Sequence, residues 1–309
     1  MIYSSSLTRD IQKFCDAVEL LDICEGDILQ HPCDIIVCPD GKELNGKGGL
    51  AKKIHKSAGP LLKKALAAVG ECYTGQVYAT EAFHLNSKYI IHAVSPKWEG
   101  GKNTEEYQLA HCYAAAMQKA SDLHCISIAF PSIGTGYHNF PKKRAAEIAI
   151  NTILYNLTII PESIQVSIVC ANHETCEIYK NAFKQSIVKM FSEYYSPESY
   201  VCNHLSERDM GPYFSWMVKL KNLETVQHNY SDYLDIIGFN QETATELTTD
   251  QFYYTLSNNA YLWDYRTCLA YITYLQRKSY WDGYVSYHAE QCKLGGVRKV
   301  LLRMQQLLQ

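Results

Sequence analysis

The chain contains 309 residues, of which 47% are hydrophobic and 20% are charged, and its formal net charge is −3. This length suggests two domains, and the apolar content is sufficient for a buried core in each. The small net charge gives no reason to expect a nucleic-acid partner. Every apolar run is shorter than the roughly 18 residues of a membrane span, and the first ten residues lack the pattern of a secretory signal.

The spacing of the cysteines is informative about the cellular compartment. All twelve occur singly, and no pair has Cys-x-x-Cys spacing. We therefore expect free thiols in a reducing, cytoplasmic environment rather than disulfides. The same spacing predicts no metal site, since His111-Cys112 and His124-Cys125 are isolated dipeptides.

Strand and helix patterns alternate over the first two-thirds of the chain. The predicted strands are 33–38, 88–94, 125–130 and 165–170, and the predicted helices are 48–68, 106–123, 141–155 and 175–191. Because these strands are almost continuously apolar, we expect a sheet that is covered by helices on both faces.

A different pattern begins near residue 192. Residues rich in Tyr and Trp follow, with helical spacing at 214–220, 250–256, 268–275 and 297–308 and no clear strand. The last of these helices carries an apolar face of Val297, Val300, Leu301, Met304, Leu307 and Leu308. The predicted organisation is an N-terminal extension (1–16), an α/β domain (17–192), a linker (193–205) and an all-α domain (206–309).

Two glycine-bearing segments each connect a strand to a helix. They are residues 44–54 and 131–141. Open α/β sheets bind ligands at the carboxyl ends of their strands, where glycines let the backbone approach a phosphate and helix amides favour an anion. Two such loops facing each other predict a diphosphate site, although either loop alone could be a plain turn.

Six segments in chain order resemble the macrodomain family. They are 25–28 (Glu-Gly-Asp-Ile), 48–51 (Gly-Gly-Leu-Ala), 54–60, 74–80, 88–98 and 128–136. Residues 74–80 and 88–98 resemble the family's central strands, and 128–136 resembles its second phosphate loop. The resemblance covers about residues 17–190.

This resemblance implies a three-layer α/β/α fold with a central mixed sheet, and ADP-ribose as the ligand without a further cofactor. It implies that Asp27 accepts a hydrogen bond from the adenine amino group, beside the Ile28 amide. The remaining implied ligand-binding residues are Gly48, Gly49, Leu50, Ser132, Ile133, Gly134, Thr135, Gly136, Tyr137, His138 and Asn172.

Several of these residues have a simpler alternative. Asp27 could serve only as a turn or capping residue. His138 could pack its ring against the distal ribose or lie on the loop surface. Asn172 and His173 could edge the adenine pocket or begin the closing helix. His92, in an apolar strand, is interpreted as a hydrogen-bonded core residue, and Lys52 and Lys53 as an exposed helix face.

In the hydrolytic members of the family that the chain resembles, catalysis depends on the stretch before the first glycine-bearing segment. Hydrolytic macrodomains have Asn-Ala-Ala-Asn there, and the last Asn positions the distal ribose, whereas this chain has Cys38-Pro39-Asp40-Gly41. Asp40 could orient a water as a general base, but a turn role is favoured. His138 is the other catalytic candidate. Lys47, inserted among the glycines, could add charge near the diphosphate.

These observations leave three functional classes. The favoured one is a reader that binds ADP-ribose and ADP-ribosylated proteins. The alternatives are a mono-ADP-ribosyl-protein hydrolase and an adaptor with a vestigial pocket. Residues 267–283 weakly resemble a small uncharacterised bacterial helical family, which implies no activity. The aromatic residues of the C-terminal domain are interpreted as its core, with a protein-partner surface as the alternative.

Overall fold

The structure, a computed structural model, describes residues 12–194, 219–220, 222–223, 257, 260–281 and 296–308. The chain divides into two compact units, one spanning Asp16–Phe183 and the other combining Met1–Cys15 with Lys184–Gln309. The predicted helix at 250–256, most of the predicted helix at 214–220 and the predicted linker from residue 195 onward lie outside the described residues.

Strands and helices alternate along residues 12–194. Helix α1 covers the described residues 12–20, which precede strand β1. The elements that follow are β1 (Leu21–Glu25), β2 (Ile35–Asp40), α2 (Gly49–Ala58), α3 (Pro60–Ala67), β3 (Val77–Glu81), β4 (Tyr89–Val94), α4 (Glu105–Asp122), β5 (Ser127–Phe130), α5 (Lys142–Ile159), β6 (Gln165–Cys170) and α6 (His173–Tyr194).

The six strands form one mixed sheet in the order β1-β6-β5-β2-β4-β3. Every neighbouring pair is parallel except β3 and β4, which are antiparallel. Helices α2 and α3 share a buried cluster with Ile36 and Ile90, and α4 packs against α5 and contacts β4 and β5. The expected three-layer α/β/α fold is confirmed. Residues 77–81, however, form an edge strand, so their expected central position is wrong.

The predicted helix 48–68 is two helices. Gly59 interrupts it with a φ of +88°, and Pro60 occupies the first turn of α3. A left-handed φ favours glycine, and proline at a helix start loses no hydrogen bond, so the Gly-Pro pair ends one helix and begins the next. A Cβ at residue 59 would also lie 2.7 Å from Nδ1 of His84.

Two elements at the start of the domain were missed. Helix α1 lies partly in the segment that was expected to be an extension, and β1 was not predicted. The signal for β1 is the alternation of buried Leu21 and Ile23 with the exposed Asp22 between them. β1 lies at the edge of the sheet, beside β6. Because an edge strand is less enclosed than a central one, its five residues include polar as well as apolar side chains.

Strand β2 lies two residues further along the chain than predicted. It runs from Ile35 to Asp40, whereas the prediction was Cys33 to Cys38. Proline normally interrupts a central strand because it lacks an N–H group. Pairing with β5 involves only Ile35 and Ile36, however, so β2 is unpaired with β5 at Pro39 and a missing N–H group interrupts no bond on that side. Asp40 is therefore the last residue of a strand and not part of the turn that follows.

The described part of the second unit is helical. After a short 3-10 helix at Ala260–Leu262 come α7 (Tyr265–Trp281) and α8 (Gly296–Leu307). Four of the six residues predicted for the apolar face of α8 are fully buried: Val297, Val300, Leu301 and Met304. Leu307 remains 38% exposed near the end of the helix. Tyr271 is fully buried, and its ring contacts that of Trp263 with centroids 5.3 Å apart and planes tilted by 52°.

The ten cysteines of the described residues are all free thiols, as predicted. No helix in the described ranges is both long and apolar enough to cross a membrane.

Candidate functional site

The predicted ligand-binding residues follow the carboxyl ends of neighbouring parallel strands. Asp27 follows β1, Asn172 follows β6, and the two glycine loops follow β5 and β2. Because these strands are parallel, all four ends lie along one edge of the sheet. From β1 to β2 there are three strand spacings, or about 14 Å. The edge is therefore long enough for an extended ligand with a group at each end.

The first loop (residues 41–48) leads into the N-terminus of α2. Gly48 is the N-cap residue of that helix, and no side chain caps it by a hydrogen bond. The first N–H groups of a helix have no partner within it, so these point outward as donors. A Cβ added at Gly49 would meet no atom within 4 Å. The start of α2 thus presents backbone donors beside open space, while Lys47, Lys52 and Lys53 are exposed.

The second loop (residues 131–140) folds around a glycine. Gly134 has a φ of +81°, and its carbonyl accepts a hydrogen bond from the N–H of Phe140 at 3.0 Å. Among the described residues, no protein acceptor is found for the N–H groups of residues 134–137. Successive unpaired N–H groups form a concave site for an anion. A Cβ at Gly136 would again meet no atom within 4 Å.

Buried tyrosines support the second loop from below. The Ser132 hydroxyl lies 2.9 Å from the Tyr179 hydroxyl and 2.8 Å from that of Thr135. The Ile133 N–H donates to the Tyr113 hydroxyl at 3.2 Å. Burial raises the pKa of Tyr179 to about 12, so it remains a neutral phenol. The Ile133 N–H was expected to donate to the diphosphate, but it donates to a side chain of the protein instead.

Asp27 lies in the turn after β1 and is exposed. Its Oδ1 accepts a hydrogen bond from the Leu29 N–H at 3.0 Å, so the residue does act in the turn. A carboxylate has two acceptor oxygens, and a bond at Oδ1 is compatible with a second contact through Oδ2. Ile28 beside it is buried.

Asn172 caps helix α6. Its Oδ1 accepts a hydrogen bond from the Thr175 N–H at 3.0 Å, and His173 is the first helical residue. The sequence left two roles open for Asn172, and the one at the start of the closing helix is therefore present. Asn172 also lies beside the β1 turn, because β6 and β1 are neighbours.

His138 is half-buried at the far side of the second loop. Its Nδ1 lies 2.8 Å from the Ser95 hydroxyl, which follows β4. Burial, with a smaller contribution from the charge of Lys97, lowers the pKa of His138 below its ordinary value. The ring is therefore neutral at physiological pH and can accept a proton.

Asp40 has surroundings that a turn residue would not have. Successive side chains of a strand point to opposite faces, so Cys38 and Asp40 share one face of β2. The parallel register places His92 of β4 directly beside Cys38. Helix α2 contributes His55 to the same face. The Asp40 Oδ2 atom lies 2.6 Å from His55 Nε2 and 3.2 Å from His92 Nδ1.

Both oxygens of this carboxylate are occupied. Its Oδ1 accepts from the N–H groups of Gly41 at 3.0 Å and Gly46 at 3.1 Å, which ties the first loop to β2. The Asp40 side chain is fully buried. Burial alone would raise the pKa of Asp40, but the hydrogen bonds and charges of His55 and His92 outweigh it and hold the pKa well below its usual range. Asp40 is thus a permanent, enclosed carboxylate.

The predicted core role of His92 is correct, since the ring is fully buried and also lies 3.2 Å from the Thr80 hydroxyl. The involvement of His55, Ser95, Tyr113 and Tyr179 was not predicted. A histidine among the apolar positions of a helix is one signal that could have identified His55. The contacts of the two tyrosines span more than 15 residues and leave no local pattern.

Comparisons with known proteins agree with this arrangement. The Macro domain family model matches residues 39–149. A macro domain-containing protein of Acinetobacter is 40% identical over 163 residues, which cover 52% of this chain and 89% of the relative. An O-acetyl-ADP-ribose deacetylase of Salmonella gallinarum is 38% identical over 171 residues, covering 53% of this chain and 94% of the relative.

Among solved structures, a variant of the Oceanobacillus iheyensis macrodomain with ADPR is similar, with a TM-score of 0.52 and 34% identity. The similarity covers 54% of this chain and 93% of that chain. The chain therefore belongs to the macrodomain family, as the sequence motifs indicated.

Proposed function

We propose that this protein binds ADP-ribose along the edge formed by β1, β6, β5 and β2, and that it acts as a reader of ADP-ribosylated proteins. The observation that carries the proposal is the pair of glycine loops at adjacent strand ends. The first turn of α2, which follows the first loop, and the second loop each present backbone N–H groups without a protein acceptor among the described residues. Each also has a glycine that faces open space, Gly49 or Gly136. Two opposed sets of donors are what a diphosphate needs.

We use the sheet order to propose a position for each end of the ligand. The diphosphate lies between the loops after β5 and β2, so the adenine lies towards β1 and the distal ribose towards β4. Asp27 then accepts a hydrogen bond from the adenine amino group, and Asn172 borders the adenine end of the ligand. Gly134 to Tyr137 donate to the diphosphate opposite Gly49 and Leu50. His138 and Ser95 lie at the distal end, where an attached protein would leave the site.

The direct test is calorimetric titration of the full chain with ADP-ribose. We expect saturable binding, with AMP weaker because it lacks the distal ribose and the second phosphate. The Gly49→Glu variant should abolish binding, since its carboxylate would occupy the open space and repel the diphosphate. Ser57→Glu is the matched control, because it adds the same charge at an exposed position of the same helix.

Absence of binding at millimolar ADP-ribose would refute the proposal. Equal loss in both charge variants would mean that the effect of Gly49→Glu arises from long-range charge and not from contact.

Hydrolysis is the second candidate function, because a relative is named O-acetyl-ADP-ribose deacetylase. In this chain His138 is the better-placed base, because it lies towards the proposed distal end of the site with its Nδ1 2.8 Å from the Ser95 hydroxyl. Asp40 is less suited, since both of its oxygens are occupied inside the protein. Gly41, where hydrolytic relatives have Asn, has no side chain to orient the distal ribose, so we favour the reader.

One experiment separates the three classes. The full chain is incubated with proteins mono-ADP-ribosylated on acidic, arginine, serine or cysteine side chains, and both retention and release are measured. A reader retains the modified proteins, a hydrolase releases ADP-ribose, and an adaptor with a vestigial pocket does neither. If release occurs, His138→Gln should abolish it while ADP-ribose affinity stays within a few-fold.

A further inference from the structure

Four potential metal-binding side chains converge beneath the first loop. The atoms are Cys38 Sγ, Asp40 Oδ2, His55 Nε2 and His92 Nδ1, and all lie within 4.8 Å of one another. The Oδ2 atom is central, at 2.6 Å from Nε2, 3.2 Å from Nδ1 and 3.9 Å from Sγ. Cys38, Asp40 and His92 are buried, and His55 is nearly so.

We propose that Cys38, Asp40, His55 and His92 bind one zinc ion, which fixes the first loop to β2, β4 and α2. Zinc takes sulfur, nitrogen and oxygen ligands at about 2.0–2.3 Å in a tetrahedron. In such a tetrahedron the ligand atoms are about 3.3–3.8 Å apart. The observed separations, from 2.6 Å to at most 4.8 Å, bracket this range.

The donor types select among metals. One thiolate, one carboxylate and two imidazoles match the mixed set that zinc accepts, whereas magnesium and calcium require oxygen ligands. With four protein ligands, the site has no position for water or substrate. The ion therefore has a structural role and no part in chemistry on ADP-ribose.

Outer hydrogen bonds orient two of the ligands. The His92 Nε2 lies 3.2 Å from the Thr80 hydroxyl, so a proton on Nε2 leaves the Nδ1 lone pair directed at the ion. Asp40 uses Oδ1 for the Gly41 and Gly46 N–H groups, so its Oδ2, which in the absence of the ion contacts the two histidines, is the oxygen that binds the metal. Metal-binding imidazoles and carboxylates in proteins are held by such second hydrogen bonds.

The charges also balance. On binding, the Cys38 S–H bond breaks, its proton passes to solvent and a Zn–S bond forms. A doubly charged ion with one thiolate, one carboxylate and two neutral imidazoles has no net charge. This balance suits a buried site, since an isolated buried charge is costly. Without the ion, Asp40 remains paired with the two histidines.

The experiment uses the full chain after removal of metals with a chelator, in the absence of nucleotide, so its outcome is independent of ADP-ribose binding. We titrate with Co²⁺, whose four-coordinate thiolate complexes have visible absorption bands and a sulfur-to-metal charge-transfer band. We expect saturation at one equivalent and displacement by one equivalent of Zn²⁺, which binds more tightly than Co²⁺. Mass spectrometry of the metal content then checks the stoichiometry.

Variants locate the site. Cys38→Ser should remove the charge-transfer band and weaken zinc by at least about tenfold, and His55→Gln should weaken it by a similar factor. Cys72→Ser is the matched control, because Cys72 is a buried cysteine of the same domain outside the cluster. Circular dichroism checks that each variant is folded.

Absence of bands in the native chain would overturn the proposal, as would their persistence in folded Cys38→Ser. If that variant does not fold, the cobalt and zinc stoichiometry of the native chain and the loss of bands in His55→Gln decide the question.

Discussion

Gly134→Ala tests the backbone of the second loop. Gly134 has a φ of +81°, a left-handed conformation that costs an L-residue about 1–2 kcal/mol. The new Cβ would also lie 3.4 Å from the Cβ of Phe140, a tight but tolerable contact. We therefore expect the free energy of unfolding to fall by about 1–2 kcal/mol. In a domain of this size the melting temperature should fall by about 2–8 °C.

The same substitution should weaken ligand binding. Relief of the strain rotates the peptide groups whose N–H groups face the diphosphate. Loss of one hydrogen bond to a charged group costs about 1.5–3 kcal/mol, so the dissociation constant for ADP-ribose should rise about 10- to 150-fold. Differential scanning calorimetry of the full chain measures the stability, and isothermal titration measures the affinity.

Gly136→Ala is the control within the loop. It is not among the residues with positive φ, and its added Cβ meets no protein atom within 4 Å. Its melting temperature should therefore stay unchanged or rise slightly. Its affinity should nevertheless fall, because the methyl group enters the space assigned to the ligand. Equal melting temperatures for the two variants would refute the strain argument, and unchanged affinity in both would place the diphosphate elsewhere.

Three further predictions address the rest of the site. Asp27→Ala should weaken ADP-ribose and AMP by a common factor of about 5- to 150-fold, because the lost contact is at the adenine; a loss confined to ADP-ribose in calorimetric titrations would contradict this. Tyr179→Phe should lower the free energy of unfolding by about 0.5–1.5 kcal/mol in urea denaturation through loss of its bond to Ser132, and no change would show that the bond is dispensable. Release of ester-linked ADP-ribose should be slow or absent, since the missing side chain at Gly41 leaves the distal ribose poorly oriented; turnover equal to that of an active macrodomain, measured side by side, would disprove the assignment as a reader.

Much of the fold followed from local sequence patterns. Strand 165–170 has the predicted limits, and strand 89–94 differs by one residue, because continuous apolar runs bounded by polar residues specify buried strands. The two loops were recognised because glycine between a strand and a helix has a direct steric meaning. Gly59-Pro60 carried an equally local signal for a helix break, but the apolar periodicity continues across it and concealed the break.

The sequence did not predict those parts of the site whose contacts join residues far apart in the chain. In the sequence Asp40 looked like a turn residue before a glycine, and His55 had no assigned role. Only the parallel register of β2 with β4 brings His92 beside Cys38, and only the packing of α2 brings His55 to Asp40.

Local patterns therefore determined which segments become strands, helices and loops, and through them the family of the protein. They could not determine which polar side chains meet inside it. That depends on strand register and helix packing, which place residues 15 and 52 positions apart from Asp40 within 3.2 Å of its carboxylate. A buried charge is tolerated only with such partners, so burial of Asp40 is a property of the assembled fold and not of the sequence around it.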